Sequence, residues 1–478
     1  MAMDLQEAKN DEPLTPTGRL FLSPELHQVI TGAMGVKDPI DISLVKSEIT
    51  NFFLTHDYPR LSCLLVRDHN GVEYWRKTHV DVDRHIVVVD SPSDGDSEDA
   101  VNEYLADLAV SSPLRTDKPL WEIHLLMAQN CVVFRVHHAL GDGISLMSLF
   151  LSFCRKADDP NSLPDIVSYP GNSTNSRGMY RRERGGLWAF VKVVWFTVVF
   201  VVGLIVRILW VRDKRTAVSG GAGVELWPRK LVTAKFLLED MKVVKKAIPE
   251  ATINDVLFGM ISSGLSRYLD LRSAKSLQEG LQITGVAMVN IRQQPGLQDV
   301  LSLMRNNSKA RWGNKFGMIL LPTYYHRGGN DPLQYLKTAK AMINRKKLSL
   351  EAHFSYKIGD FVLSVLGLKA VSLLNYRILC NTTFTISNLV GPREKLTIAG
   401  NPVTYLRANN SSLPHAITMH MASYAGRADM QIMVARDIIP DPKVLAKCFE
   451  DTLLEIKEAA AAVAVAAAAT KLLEENVS

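Results

Sequence analysis

Leu187 to Trp210 is the most apolar run of the chain, lies near its middle, and limits how the two flanking halves can be arranged. A helix that crosses a bilayer needs about 20 apolar residues. Lys192 and Arg207 interrupt this run and leave an uncharged core, Val193 to Val206, of 14 residues. At about 1.5 Å of rise per residue that core reaches roughly 21 Å, short of a hydrocarbon layer of about 30 Å. Snorkelling of Lys192 and Arg207 to the two interfaces extends the reach. Basic residues flank both ends (Arg181, Arg182 and Arg184 before, Arg212, Lys214 and Arg215 after), so the positive-inside rule assigns no orientation. The same flanks argue against a helix buried in a soluble core.

With 478 residues there is room for a lobe of ordinary domain size on each side of this run. Residues 1–12 read as a flexible leader and 13–156 as the first lobe. Residues 157–226 form a linker that is rich in Pro, Gly, Ser and Asn and contains the apolar helix at 187–210. Residues 227–458 form the second lobe, and 459–478 an alanine-rich helical tail. Strands are expected at Leu61 to Val66 and His85 to Val89. A hairpin from Trp121 to His138 turns near Asn130. Asp90 to Asp99 reads as a solvated loop before a helix at Glu103 to Leu108. In the second lobe, Gln282 to Met288 and Phe384 to Ser387 are expected as strands and Ile253 to Leu269 as a helix. Phe361 to Leu374 reads as a core helix.

A hydrophobic content of 47% is that of a globular chain, and a net charge of +6 is mild. It favours an anionic lipid surface or a phosphate-bearing substrate but implies no nucleic acid, and no nucleic-acid module is visible. The five cysteines are scattered through apolar runs, which points to buried thiols and not to a disulfide framework. Met1 to Pro13 carries no apolar signal region. The Asn-x-Ser/Thr matches at Asn172, Asn306, Asn381 and Asn410 are therefore expected to be accidental.

The chemistry is expected at Val136-His137-His138-Ala139-Leu140-Gly141-Asp142-Gly143. Cys131 to His138 has the β-branched and aromatic content of a strand, and successive strand side chains point to opposite faces. His137 and His138 therefore cannot easily reach one small ligand together. One faces a cavity and the other packs behind it. This argues against a two-histidine metal site, and no metal is expected. An imidazole titrates near neutrality and can take a proton from an attacking hydroxyl. Asp142 lies at a turn made by Gly141 and Gly143, where bracing the loop by a salt bridge suits it better than touching substrate. Gly143 leaves room for substrate to approach.

The motif His137-His138-x-x-x-Asp142-Gly143 resembles the signature of condensation-domain-like acyltransferases. Five further segments narrow the resemblance: Pro13-Leu14-Thr15-Pro16 leading to Arg19-Leu20-Phe21; Pro119-Leu120-Trp121-Glu122; Asn254-Asp255-Val256-Leu257; Asn290-Ile291-Arg292; and Ser387-Asn388-Leu389-Val390-Gly391-Pro392. In this order the set is similar to the plant wax ester synthase/diacylglycerol acyltransferases, over about residues 13 to 458. The Asp-Phe-Gly-Trp-Gly run of plant acyltransferases for soluble alcohols is not found here. The resemblance implies an α/β (α+β) fold of two chloramphenicol-acetyltransferase-like lobes with an apolar membrane-associated helix between them. It implies acyl transfer from acyl-CoA to a long-chain alcohol or to diacylglycerol, with His138 as general base and His137, Asp142 and Gly143 in the motif around it. Acyl-CoA is a substrate, and no cofactor is implied. Asn254 and Asp255 are candidates to support the site, with a plain helix cap as the alternative reading. Arg292 is a candidate partner for Asp142. Ser387 and Asn388 either line the site or shape a turn.

If both lobes build one substrate tunnel, both lie on one side of the membrane. A single crossing at 187–210 would separate them, so either the run lies in the interface or re-enters, or a second crossing returns the chain. Phe361 to Leu374 is the only other candidate for that crossing and reads as a core helix, so the run is expected to lie in the interface. The expected location is the cytosolic face of the endoplasmic reticulum, with the plasma membrane as a second site. Two other readings of the chain are an acyltransferase of the same fold for soluble alcohols and a non-catalytic lipid-binding protein at a membrane.

Overall fold

The strand Cys131–His137 buries its odd-numbered side chains, as its alternation requires, and is the third strand of a seven-stranded sheet. The computed structural model describes residues 11–55, 60–90, 97–164, 187–273, 276–292, 313–327 and 331–477. The order of the sheet is Ile86–Val89, Trp121–Leu126, Cys131–His137, Val29–Val36, Asn401–Asn410, Leu396–Ile398 and Cys154–Lys156. The hairpin from Trp121 turns through Asn130, a non-glycine residue at φ 46°, a conformation that asparagine tolerates better than most. A six-stranded second sheet runs Phe316–Tyr324, Gln282–Asn290, Phe384–Val390, Ile417–Tyr424, Arg427–Ala435 and Arg229–Leu237. A third sheet joins Glu12–Pro13, Glu73–Lys77 and Cys63–Arg67. Glu12 thus belongs to a strand and not to the leader, whose residues 1–10 lie outside the described residues.

Each of the two large sheets has its own apolar core. Trp75, Leu120, Leu125 and Leu140 are buried in the first, and Leu257, Tyr268, Phe384 and Phe449 in the second. Helices Ile253–Ser273, Pro332–Lys347 and Pro442–Val477 contribute to the second core, and the last of them continues as the alanine-rich tail. The predicted helix at Glu103 begins earlier, at Ser97, and runs to Ala109. Residues 91–96 of the predicted solvated loop, and 165–186 of the predicted linker, lie outside the described residues.

The lobes are not contiguous in sequence. Residues 227–458 were expected to belong to the second lobe alone, yet Leu396–Ile398 and Asn401–Asn410 complete the first sheet. Strand pairing is set by register between distant segments and not by nearness along the chain. The crossing strand also stitches the two lobes together. The Arg407 guanidinium donates to Asp429 at 3.0 Å and to Glu98 at 2.6 Å, and the Asn409 amide donates to Gln431 at 3.0 Å.

The apolar run forms helix Leu187–Leu209. It does not stand alone. Phe200 and Leu204 are buried with Val286 and Leu320 of the second sheet and with Ile378 and Leu379. Arg207, read from sequence as snorkelling to an interface, is instead buried in the second lobe. It donates to Asp213 at 2.9 Å, to the Asn381 carbonyl at 2.7 Å and to Thr284 at 3.0 Å. Asp213 in turn accepts from the Thr284 amide and the Thr383 hydroxyl. A charge so placed needs its partner, because removing one member of a buried pair leaves the other uncompensated.

A second correction concerns Phe361 to Leu374. The segment lies within helix Glu351–Cys380, but it is not a core helix: Phe361 is 66% exposed and Val365 61%. An apolar sequence without a polar stripe reads as buried on all sides. Here one face is turned outward beside helix Leu187–Leu209.

Replacing Arg207 by Met should lower stability by about 3–5 kcal/mol, the usual cost of orphaning a buried charge. The double variant Arg207→Met/Asp213→Asn should recover part of that loss. Denaturant unfolding in mild detergent measures both, and equal losses in the two variants would show that the pair does not hold this helix.

Candidate active site

Gln28 to Val36 and Cys131 to His137 pair antiparallel, and the chain leaves this ladder at His138. His137 ends the strand facing inward. It is 1% exposed, its Nδ1 accepts from the Ala139 amide at 3.1 Å, and its ring meets His27 edge-on. Burial, together with the nearby His27 and His138 rings, holds it down to about 3, so it is neutral at physiological pH. His138 faces the other way and lines a cavity of about 420 Å³ between the two lobes. The structure thus separates the two rings as strand alternation requires.

The protonation pattern of His138 follows from the acceptors beside Nδ1, its own backbone carbonyl and the Asn314 side chain. The Asn314 side-chain amide donates to the His138 carbonyl at 2.7 Å, which turns its oxygen toward the ring. That oxygen lies 3.0 Å from His138 Nδ1. Nδ1 therefore carries the proton and donates it to Asn314, and Nε2 is left with a lone pair. Nε2 has no hydrogen-bond partner among the described residues. Phe21 stacks on the ring at 4.0 Å between centroids, and Phe316 lies 5.9 Å away. Burial lowers the His138 pKa below the ordinary imidazole value, opposed by its own backbone hydrogen bond, by the Asp142 carboxylate and by Asn314. Such a ring is a neutral proton acceptor set in an apolar cavity.

Asp142 caps helix Gly143–Phe153. One carboxylate oxygen accepts from the Ser145 amide at 3.0 Å. The other accepts from Arg292 at 2.6 Å and from the Lys315 amide at 3.0 Å. Arg292 also donates to Ser145 Oγ, to the Asn290 side chain and to the Gly313 carbonyl. Both side chains of the ion pair are nearly buried. The pair thus spans the seam between lobes and holds the chain at 313–315, which places Asn314 behind His138. Gly143 starts the helix at the cavity wall, where an added Cβ would make ordinary contact with Leu389. The first amides of a helix have no acceptor within it.

The other candidates divide. Ser387 and Asn388 lie on the cavity wall. Asn254 is not on that wall and reaches it only through Asn388, whose amide donates to it at 2.8 Å. Asp255 is away from the cavity. Its carboxylate accepts from the Thr252 amide and hydroxyl while its own amide donates back to Thr252, a reciprocal cap on helix Ile253–Ser273. Two residues at the site carried no signal that the sequence reading used. Asn314 follows a segment without a motif. His420 lies inside the strand Ile417–Tyr424, where every residue is buried. It lines the cavity, contacts Asn410 at 3.0 Å, and is held down to about 4 by burial.

Comparison with known proteins places these features in a family. Residues 63–257 match the family model for the wax ester synthase/diacylglycerol acyltransferase catalytic domain, and residues 312–457 match that of the WS/DGAT C-terminal domain. The chain is 35% identical over 473 residues to wax ester synthase/diacylglycerol acyltransferase 11 of Arabidopsis thaliana, covering 95% of this chain and 96% of that protein. It is 34% identical over 476 residues to wax ester synthase/diacylglycerol acyltransferase 2 of the same plant, covering 96% and 98%. Among solved structures, the wax ester synthase/diacylglycerol acyltransferase of Marinobacter aquaeolei VT8 superposes with a TM-score of 0.60 at 18% identity, covering 94% of this chain and 100% of that one. The starter condensation domain of rhizomide synthetase, solved with C8-CoA, gives 0.53 at 12% identity, covering 96% and 97%. The two-lobed fold expected from the sequence is the fold of these structures.

Asp142→Asn keeps the helix cap but removes the charge that meets Arg292. Melting temperature and turnover should fall together, and the shape of the pH–rate profile should stay the same. An unchanged melting temperature with a displaced profile would instead place Asp142 in proton transfer.

Proposed function

Because the chain belongs to the wax ester synthase/diacylglycerol acyltransferase family, we propose that it moves a long-chain acyl group from acyl-CoA to a fatty alcohol, to diacylglycerol, or to both. The observation that carries this reading is the His138 ring, with Nδ1 tied to Asn314 and Nε2 bare at the apolar cavity. His138 Nε2 accepts the hydroxyl proton. The oxygen attacks the thioester carbonyl carbon, and the carbon–sulfur bond then breaks. The imidazolium returns its proton to the departing sulfur, so coenzyme A leaves as a thiol. The amides of Gly143 and Ile144, which have no acceptor among the described residues and lie at the cavity wall, are suited to stabilise the oxyanion. Asp142 and Arg292 act as positioning residues, with Ser387 and Asn388 on the wall that receives substrate. No acyl-enzyme is needed, and acyl-CoA is a substrate and not a resident cofactor.

The location proposed is the cytosolic face of the endoplasmic reticulum membrane, with the plasma membrane as a second site. Support comes from two helices with outward apolar faces, Phe190–Leu209 and Glu351–Cys380, both long and apolar enough to cross a bilayer by composition. The second half of the first is packed on the second lobe, from Thr197, which accepts from the Leu350 amide, to the buried Arg207. A crossing would carry the edge of that lobe into hydrocarbon, so the helix lies in the interface instead.

The test uses sealed microsomes and labelled acyl-CoA, with hexadecanol and diacylglycerol in competition. Labelled ester should form without detergent, since a cytosolic site meets acyl-CoA from outside. His138→Ala should cut turnover by about 10² to 10⁴ while the protein stays folded. Because burial lowers the His138 pKa, the neutral base persists as pH falls. The acid limb of kcat/KM should therefore lie below the ordinary imidazole value of about 6.5. An alanine variant that keeps half of wild-type turnover would remove His138 from the reaction.

A further inference from the structure

The wall of the catalytic cavity is also an outer surface of the protein. Helix Glu351–Cys380 turns Tyr356, Leu363, Val371 and Asn375 into the cavity that holds His138. Its other face exposes Phe361, Val365, Leu366 and Leu373, each more than half exposed. The cavity and the outside are thus separated by the thickness of one helix. That helix is broken. Gly367 has φ 77° and ψ 176°, a conformation that glycine adopts without penalty, and no atom lies within 4 Å of where a Cβ would be. Leu363 and Val371, the cavity-lining residues on the two sides of the break, are each four positions from it. The helix can approach the second sheet this closely because Gly317 has no side chain, since a Cβ there would collide with the Ala352 carbonyl.

What covers the outer face follows from its chemistry. It adjoins helix Leu187–Leu209, and Ile378 and Leu379 are buried against Phe200 and Leu204 of that helix. Helix Leu187–Leu209 exposes Trp195, Val198 and Val202, with Trp188 near its start and Trp210 just past its end. Indole rings at the ends of an apolar helix favour the headgroup level of a bilayer. Lys357 and Lys369 are exposed and bracket the Phe361–Leu366 stretch, where long cationic side chains reach phosphate while their stems stay in hydrocarbon. A lipid layer fits this surface, with its charges at the rim and its apolar residues between them. Just inside, Asp360 lines the cavity, and its carboxylate has no hydrogen-bond partner among the described residues. It offers an acceptor to a hydroxyl group that arrives from this side.

We propose that the lipid acceptor enters the catalytic cavity sideways from the bilayer, through the wall formed by helix Glu351–Cys380 at its break around Gly367. The proposal rests on the acyltransferase reading. A long-chain alcohol or diacylglycerol held in the membrane then reaches His138 without passing through water, which strongly disfavours its chains.

Phosphatidylcholine vesicles doped with a diazirine-bearing long-chain alcohol test the route on the unaltered protein. Light should attach the probe within residues 361–373, and excess hexadecanol should suppress that label. The double variant Val365→Glu/Leu366→Glu changes only the outer face. Its kcat/KM for hexadecanol in vesicles should fall at least tenfold, while turnover of a short water-soluble alcohol stays within twofold of wild type. No competed label in 361–373, undiminished use of hexadecanol by the double variant, or a parallel loss with both alcohols would each overturn the lateral route. A wild-type protein that transfers no acyl group to either alcohol or to diacylglycerol would refute the acyltransferase reading instead, and the label pattern would still report on the route.

Discussion

The buried ion pair between Asp142 and Arg292 is the interaction on which the site depends. It joins the first turn of helix Gly143–Phe153 to the end of strand Gln282–Asn290, so it is made only when the two lobes are docked. The same carboxylate and guanidinium hold the chain at Gly313 and Lys315, on either side of Asn314. Asn314 in turn, with the His138 carbonyl, fixes which nitrogen of His138 carries the proton. The His138 ring is thus oriented by a contact one step removed from it. A pair this well buried stabilises little by itself, since desolvation offsets most of its attraction, but losing either member is costly. That asymmetry suits a contact whose work is to lock a geometry.

Around this point the fold closes one cavity between the two lobes, and on the proposed function an aqueous substrate and a lipid substrate meet there. The first sheet presents His138 at a strand exit, and the second sheet and its covering helices close the opposite wall. Helices Leu187–Leu209 and Glu351–Cys380 both carry outward apolar faces, and both are anchored to the second lobe by buried contacts. In the lateral route proposed above, membrane attachment and substrate access share the side of the molecule that carries these two helices.

What was legible in the sequence was local. Strand alternation separated His137 from His138, and the glycines around Asp142 marked a turn. Those readings need only a few residues of context. The placement of Arg292 beside Asp142 could be suggested only by resemblance, since 150 positions separate them in the chain. Asn314 and His420 were not legible, because their roles arise from register between distant strands. The transfer of residues 396–410 into the first sheet escaped notice for the same reason. Phe361 to Leu374 was misread because hydropathy reports that a helix is apolar and not what lies against it. Its two faces meet a cavity and the outside, and both favour apolar side chains. Arg207 shows the converse error, a charge in an apolar run taken for an interfacial anchor when its partner, Asp213, was only a few residues away.

The central claim is that docking of the lobes leaves His138 neutral, with its proton on Nδ1 and Nε2 free to act as the base. Nitrogen NMR of protein labelled with ¹⁵N-histidine reads this directly, with His138→Gln used to assign the ring. The account predicts a neutral ring with Nδ1 protonated in the wild type, and a mixture of the two tautomers in Asn314→Ala. A wild-type ring with its proton on Nε2, or a charged ring at neutral pH, would contradict it.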